Sequence, residues 1–351
     1  MQCTLLIPHL LLPGEIGENA CRNLALSALE KFLARSNRFS FEPIGMEAWL
    51  CQAFEVEKQL DWPVAPLTLT LDGCDPGAAY WLRADPVHLQ LQRNKLLLAG
   101  SGQFTLSRTE AERFVSALNQ HFISENLQFV APTPERWYLR LQQTPGIATN
   151  ALSDVIGSDV RPCLPSGKDA IRWHNIVNEI QMLLHHHPDN IRREATGALP
   201  INSVWLWGGG FKPAVAGRHF SAVWSDNPLA RALAATAGIH DAPVPRDAVR
   251  WLQLCKSSSP SDAKHLIVLE TLASALRRGG IATWRDEISA LDRNWLDHLL
   301  ERLGKCVSRI AMIVPGVGGC ERFELSPRSM RGRFWRKNRP VSAYASSETK
   351  T

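Results

Sequence analysis

The sequence predicts an α/β protein with an antiparallel, β-rich module in the middle of the chain. Three observations carry this reading. Buried-strand runs (Cys3–Pro8, His265–Leu269, Arg309–Val314) alternate with amphipathic helical stretches towards both ends of the chain. Between them the apolar period shortens, giving brief strands separated by turn residues. The chain has 351 residues, 45% of them hydrophobic and 21% charged, enough to bury the cores of one large or two medium domains.

In order, Cys3–Pro8 is the first strand, and Asn19–Arg35 follows as one amphipathic helix with Leu24, Leu26, Leu29, Phe32 and Leu33 on its apolar side. Met46–Phe54 is a second, shorter helix. Leu67-Thr-Leu-Thr-Leu71 alternates strictly and reads as a strand; Tyr80–Arg83, His88–Leu91 and Lys95–Ala99 continue the pattern. Ser107-Arg-Thr-Glu110 is a capping box, because the Ser hydroxyl can accept from the backbone three residues on while Glu110 reaches back. It opens a helix through Phe114, Val115 and Leu118 towards His121. Leu127–Val130 and Trp137–Leu141 are further strands. A helix over 170–187 is stopped by Pro188.

Val204-Trp-Leu-Trp207 is then a buried strand that breaks into Gly208-Gly209-Gly210, followed by Lys212. Glycines after a strand let successive backbone N–H groups aim at one spot, a common way to hold an anion. The spacing fits neither G-K-[ST] nor G-x-G-x-x-G, so the glycines alone favour a plain turn. Beyond them, Ala222–Trp224 is a strand and Pro228–Ala237 a helix ended by Gly238. The strand His265–Leu269, a long helix over Trp284–Leu303 and the strand Arg309–Val314 complete the pattern. Residues 257–261 form a surface loop, and the polar stretch Val341–Thr351 is expected to lack order.

The net charge of +5 is mild but uneven: Arg328, Arg331, Arg333, Arg336, Lys337 and Arg339 crowd one segment without an acid. A solvated basic tail is favoured there over a nucleic-acid or anionic-lipid contact. The N-terminal stretch has no leading Lys or Arg and is broken by Pro8, which argues against a signal peptide, and no stretch is long enough to span a bilayer. The eight cysteines are scattered with no C-x-x-C pair, so they read as reduced thiols rather than a zinc ribbon or disulfide framework. A cytoplasmic protein is expected.

Three segments together resemble the RpfE-type regulatory proteins of Gram-negative bacteria: Tyr80-Trp-Leu-Arg-Ala-Asp-Pro-Val-His-Leu89, the run from Trp173 through Asn178-Glu-Ile-Gln-Met-Leu-Leu-His-His-His-Pro188, and Asn202-Ser-Val-Trp-Leu-Trp-Gly-Gly-Gly210. This match covers nearly the whole chain. A more distant resemblance is to archaeal-type, cofactor-independent phosphoglycerate mutases of the alkaline phosphatase superfamily. Leu82-Arg-Ala-Asp-Pro-Val87 and Ser107-Arg-Thr-Glu-Ala111 to Leu118-Asn119 stand in the order of that family's cap motifs. Its H-P-x-N-x-x-R pattern matches His187-Pro188-Asp-Asn190-Ile-Arg-Arg193, and its A-N…G-x-G pattern matches Ile201-Asn202 to Gly208-Gly209-Gly210. The resemblance implies that Arg83, Arg136, Asn190, Arg193, Asn202, Gly208, Gly209, Gly210 and Lys212 face a phosphorylated or carboxylate ligand, guanidinium groups offering a planar charged fork to such oxygens.

The same resemblance implies a two-metal centre held by Asp and His, with a Ser or Thr nucleophile. Here the chain departs. The first strand runs into Pro8-His9-Leu10 instead of Asp-Gly. The strand ending at Leu269 leads into Glu270-Thr-Leu-Ala with no Asp-x-x-Gly-His, and Val314 is followed by Pro315-Gly316 instead of Asp-His. No metal, cofactor or catalytic residue is therefore expected.

Other constellations are weaker. His185, His186 and His187 are consecutive, and adjacent helical positions point about 100° apart, so they cannot converge on one ion. Asp85 and His88 make an acid–base pair only if the strand bends at Pro86; the alternative is a turn at Asp85-Pro86. Trp205 and Trp207 point the same way along a strand and suit a pocket floor. No nucleophile elbow is present.

The expected architecture is a degenerate alkaline-phosphatase-like core with an inserted α/β cap-like domain. Residues 1–72 and 222–327 form the core, 73–221 the cap, and 328–351 a basic, partly disordered tail. The expected function is regulatory or ligand-sensing, with an anionic metabolite as ligand and a regulatory protein as partner. The alternatives are an active phosphoglycerate mutase or phosphohydrolase, and a protein or nucleic-acid interaction module acting through the basic segment.

Overall fold

In the computed structural model of the protein, the structure describes residues 1–100, 102–258, 262–316 and 318–345. Twelve strands run in chain order among them: β1 (Gln2–Leu6), β2 (Asn37–Phe41), β3 (Tyr80–Gln92), β4 (Lys95–Ala99), β5 (Gln128–Thr133), β6 (Arg136–Leu141), β7 (Ser203–Gly210), β8 (Ala222–Trp224), β9 (His240–Ala242), β10 (Lys264–Val268), β11 (Arg309–Val314) and β12 (Cys320–Leu325). The described chain divides into two compact units. One holds residues 1–54 and 217–351, the other residues 55–216.

The first unit is built on a seven-stranded sheet of order β2-β12-β11-β1-β10-β8-β9. The five strands from β11 to β9 are parallel, and β12 and β2 add an antiparallel edge. Leu5, Leu6 and Ile7 are consecutive and fully buried. Successive strand residues point to opposite faces, so both faces of the sheet are covered, as parallel sheets require. Phe32, Trp251, Trp284, Trp295 and Phe323 fill the core around it.

The second unit carries a five-stranded antiparallel sheet of order β4-β3-β6-β5, with β7 also paired to β3. Helices Arg108–His121 and Ala170–His185 contribute to its core, where Phe114, Phe122, Phe129, Trp137 and Trp173 pack. The capping box at Ser107 is present, with Glu110 N–H donating to the Ser107 hydroxyl and Ser107 N–H to the Glu110 carboxylate. The fold class is the predicted one: an α/β core interrupted by an inserted α/β unit.

Several elements differ from the expectation. Leu67–Leu71 is not a strand but the end of a helix, Val64–Leu71. Its alternation came from Thr68 and Thr70, whose hydroxyls donate back to the carbonyls of Val64 and Pro66, each at 2.9 Å. This helix packs on β3 and β7 and belongs with them to the second unit, residues 55–216. The expected helix over Asn19–Arg35 is two, Gly14–Cys21 and Ser27–Arg35, broken where Asn23 takes a left-handed φ of 61°. Pro188 ends one helix by starting another, Pro188–Ala195, as a first-turn proline.

The strand pieces Tyr80–Arg83 and His88–Leu91 are one strand through Pro86. Between Arg83 and His88 it is paired only to β7, so one edge asks for no donor and the proline is tolerated. Val341–Tyr344 is a 3₁₀ turn with Val341 buried, where disorder was expected; residues 346–351 lie outside the described residues. Of the expected 257–261 loop, 257 and 258 end the helix Ala248–Ser258, and 259–261 lie outside the described residues.

Candidate functional site

In open α/β sheets ligands bind beyond the carboxyl ends of parallel strands. In the first unit β10, β1 and β11 are neighbours, so their ends lie side by side. β1 leads to Pro8-His9, β10 to Leu269-Glu270, β11 to Pro315-Gly316, and β8, beside β10, to Ser225-Asp226-Asn227. Asn227 caps the helix Pro228–Ala237, its Oδ1 accepting from Leu229 N at 2.9 Å and Ala230 N at 3.1 Å. Its amide is thereby aimed so that it also donates to the Glu270 carboxylate. Burial pushes the Glu270 carboxyl above its ordinary range; the Glu47 and Asp226 carboxylates add to this, while the Asn227 hydrogen bond and the Arg277 charge oppose it. His9, at a left-handed φ of 59°, is depressed by burial and by Arg277. The edge is acidic, with at least one carboxyl drawn towards its neutral form.

This donor set does not fit the two-metal centre that the resemblance implies. Among the described residues no three His, Cys, Asp or Glu side chains converge to hold an ion. The carboxyl end of β1 offers one imidazole, that of β10 one half-buried carboxyl with the Glu47 and Asp226 carboxylates near it, and that of β11 a proline and a glycine. No step through a metal follows from them.

The nine positions expected to face an anion lie in the second unit, and they fall into separate clusters. Arg83, buried on β3, donates to Oδ1 of Asp85 through Nε at 3.1 Å and Nη2 at 2.6 Å. Its guanidinium carbon lies 5.3 Å from the Tyr138 ring centre and 5.1 Å from that of Trp207, within cation–π range. The Trp207 indole N–H completes the group on Asp85 Oδ2 at 2.7 Å. Arg136 is held in a bidentate pair by Asp72, which also accepts from the Tyr138 hydroxyl at 2.6 Å. Arg193 donates to Glu110 at 3.0 Å, to Thr105 O at 3.0 Å and to Leu199 O at 2.8 Å. Each of the three guanidinium groups is thus already neutralised by a carboxylate of the chain.

The two asparagines act as backbone brackets. Asn190 Nδ2 donates to Leu184 O and Ile201 O, and its Oδ1 accepts from Ile201 N. Asn202 makes the same two-way pairing with the backbone of Leu89. Lys212 Nζ stands 3.9 Å from Asp75, both exposed.

The glycine run does meet a carboxyl group, and that group is internal: Asp61, which burial pushes above its ordinary range. β7 bulges between the pairs Arg83–Trp207 and Trp81–Gly210, with Gly208 at a φ of +64°. Gly209 N–H donates to Asp61, which also accepts from Thr149 N at 3.0 Å and from the Thr149 hydroxyl. Gly208 N–H donates to the Thr149 oxygen at 3.2 Å, and Phe211 N to Gln59 Oε1 at 2.9 Å. Asp61 was not foreseen; nothing in its sequence surroundings connects it to glycines about 150 positions away.

The remaining constellations resolve structurally. Asp85 and His88 are not a pair, since His88 Nδ1 lies 2.9 Å from Pro200 O while Asp85 serves Arg83 and Trp207. His187 caps the helix Pro188–Ala195, accepting from Asp189 N, while His185 and His186 line a groove of ≈ 500 Å³ with Leu89, Leu91 and Met182. Trp205 and Trp207 are buried and bonded through their indole N–H groups to Asn150 O and Asp85.

No family model matches the chain. Its sequence is distantly similar to 2,3-bisphosphoglycerate-independent phosphoglycerate mutases. A probable enzyme of that name from Geobacter sulfurreducens is 28% identical over 182 residues, 50% of this chain and 46% of that protein. The one from Methanosarcina mazei is 29% identical over 110 residues, 31% of this chain and 28% of that protein. The similarity therefore spans less than half the length of either relative. Among solved structures, the PH0037 protein from Pyrococcus horikoshii shares the fold, with a TM-score of 0.52 at 13% identity over 93% of this chain and 87% of that one. The cofactor-independent phosphoglycerate mutase from Thermoplasma acidophilum superposes with a TM-score of 0.47 at 16% identity, over 93% and 90% of the two chains.

Proposed function

We propose that this chain is a phosphoglycerate-mutase-like protein that does not carry out two-metal phosphoryl transfer and works instead as a regulatory protein of the RpfE type, with an anionic metabolite as its ligand. The observation that carries the proposal is the set of residues beyond β1, β10 and β11. Two-metal chemistry needs several ionised carboxylates and imidazoles in one place, to hold the ions and lower the pKa of the nucleophile. His9 and the Glu270 carboxyl, pushed towards its neutral form by burial, stand there with the Glu47 and Asp226 carboxylates near Glu270, and among the described residues no three such groups converge to hold an ion. The regulatory part rests on the three segments, Tyr80–Leu89, Trp173–Pro188 and Asn202–Gly210, that resemble RpfE-type proteins.

An anionic ligand entering the second unit meets arginines that already have partners. It would have to replace Asp85, Asp72 or Glu110 at Arg83, Arg136 or Arg193, exchanging one carboxylate for another. Binding by exchange is weaker than binding to a free guanidinium, and it suits a sensor better than a tight cofactor site.

Thermal unfolding and a mutase assay test both parts together. The expected result is no interconversion of 2- and 3-phosphoglycerate with or without manganese, and a rise in melting temperature with a phosphoglycerate in metal-free buffer. Turnover that requires manganese and disappears with a chelator overturns the non-catalytic reading. A melting temperature indifferent to phosphorylated and carboxylate metabolites overturns the ligand reading.

A further inference from the structure

Beyond that reading, the geometry points to a docking surface for anionic lipid bilayers, formed by Arg328–Arg339 with Phe334 and Trp335 at its centre. The stretch from Ser326 to Ala345 contains six Arg and Lys residues and no acid. Five of the six, Arg328, Arg331, Arg336, Lys337 and Arg339, are exposed. Set among them, Phe334 is 72% exposed and Trp335 66%, the two aromatic side chains most open to solvent in the first unit. An exposed Phe-Trp pair inside a run of positive charge combines the two terms that bring a protein to a membrane surface: apolar side chains for the headgroup–acyl boundary and cations for its negative potential.

The segment is also held in place. Arg333 is the one half-buried cation of the six, and it donates to Ser36 O at 2.6 Å, to Arg35 O at 3.3 Å and to the Asn37 side chain. This clamps the chain to the start of β2 one residue before the aromatic pair. The capping box at Ser326 starts the helix Pro327–Gly332, and Val341 is buried on the far side. A segment fixed at both ends presents Phe334 and Trp335 with little ordering entropy left to lose on docking.

The ring geometry favours a bilayer over nucleic acid. Phe334 and Trp335 meet edge to face, centroids 5.8 Å apart and planes at 87°. Single-stranded nucleic acid is held by aromatic faces on which successive bases stack, and two perpendicular rings in contact do not offer successive parallel platforms. Insertion into the interface makes no such demand on ring orientation, and Trp is enriched at that depth.

The test is co-sedimentation of the full chain with vesicles of phosphatidylglycerol and with vesicles of phosphatidylcholine. Binding is expected to the anionic vesicles only, and to weaken as salt is raised. The double substitution Phe334→Ser and Trp335→Ser is expected to lower the partition coefficient by about tenfold or more, from the loss of buried apolar area, with circular dichroism and melting temperature unchanged because both side chains are exposed. Failure to bind phosphatidylglycerol, equal binding to both vesicles, or binding untouched by the double substitution each overturns the proposal. Tighter binding to single-stranded RNA than to the anionic vesicles, lost in the same variant, also overturns it and assigns the surface to nucleic acid.

Discussion

Trp207 Nε1 donates to Asp85 Oδ2 at 2.7 Å while Arg83 occupies Oδ1, so one buried carboxylate joins β7 to β3 through side chains as well as backbone. The arrangement leaves little unsatisfied: the guanidinium has the carboxylate, the Thr68 hydroxyl at 3.4 Å and two aromatic faces. Removing one partner leaves the other charge buried. Asp85→Ala is expected to destabilise the second unit by about 3–5 kcal/mol, and Arg83→Met with Asp85→Leu by much less than the sum of the single changes. Urea unfolding of the three variants measures this, and an Asp85→Ala protein as stable as the parent contradicts it.

Arg193 carries the same lesson with a different consequence. Its three donors reach Glu110, Thr105 O and Leu199 O, so it ties the capped end of the helix Arg108–His121 to the segment leading into β7. Arg193→Ala is expected to cost about 3 kcal/mol of stability. A double-mutant cycle with Glu110→Ala is expected to give a coupling of about 1–3 kcal/mol. A coupling near zero would show that the ion pair does not hold this corner together.

These two arginines show what was legible in the sequence and what was not. Local signals are legible in the sequence. The Ser107–Glu110 box, the stop at Gly238 with its left-handed φ of 67°, and the buried strands β1, β10 and β11 all follow from neighbours in sequence. A local pattern is ambiguous where it has two physical readings: a Thr–Leu alternation marks a strand unless the threonines bond back along a helix, as Thr68 and Thr70 do. The site was the least legible part. A basic residue in a family-like motif says that a guanidinium is present, while Asp85, Asp72 and Glu110 decide whether it is free, and of these Asp72 lies 64 positions from the arginine it neutralises.

Gly209 is constrained by its surroundings more than by its backbone. A Cβ there would stand 2.5 Å from the Tyr80 hydroxyl and 2.7 Å from Leu82 Cδ2, well inside van der Waals contact. Gly209→Ala is expected to destabilise by about 1–3 kcal/mol through overpacking. The Tyr80 hydroxyl is buried without a hydrogen-bond partner, so Tyr80→Phe alone is expected to be neutral or slightly stabilising, and to recover part of the loss in the double variant. Thermal melts of the three proteins decide the matter; a Tyr80→Phe protein markedly less stable than the parent would mean that the hydroxyl has a partner in solution.

The first unit should show a distinct pH dependence through His265. Its imidazole is fully buried on β10, and Nδ1 accepts the Trp224 indole N–H at 3.1 Å, which places the ring proton on Nε2. Burial, reinforced by the N-terminal ammonium and His240, lowers its pKa from the ordinary 6.5 to about 4. Between those two values the unfolded chain binds a proton that the folded one does not. Stability is therefore level above the unfolded pKa and falls as pH drops through the window, by up to about 1.4 kcal/mol per pH unit for this group. Carboxyls that burial raises, Glu270 among them, add a pH dependence of their own, so the informative comparison is with His265→Asn. Urea midpoints between about pH 7 and pH 5 should fall more steeply for the parent than for the variant, and parallel curves would mean that His265 accepts its proton in the folded state as readily as in the unfolded one.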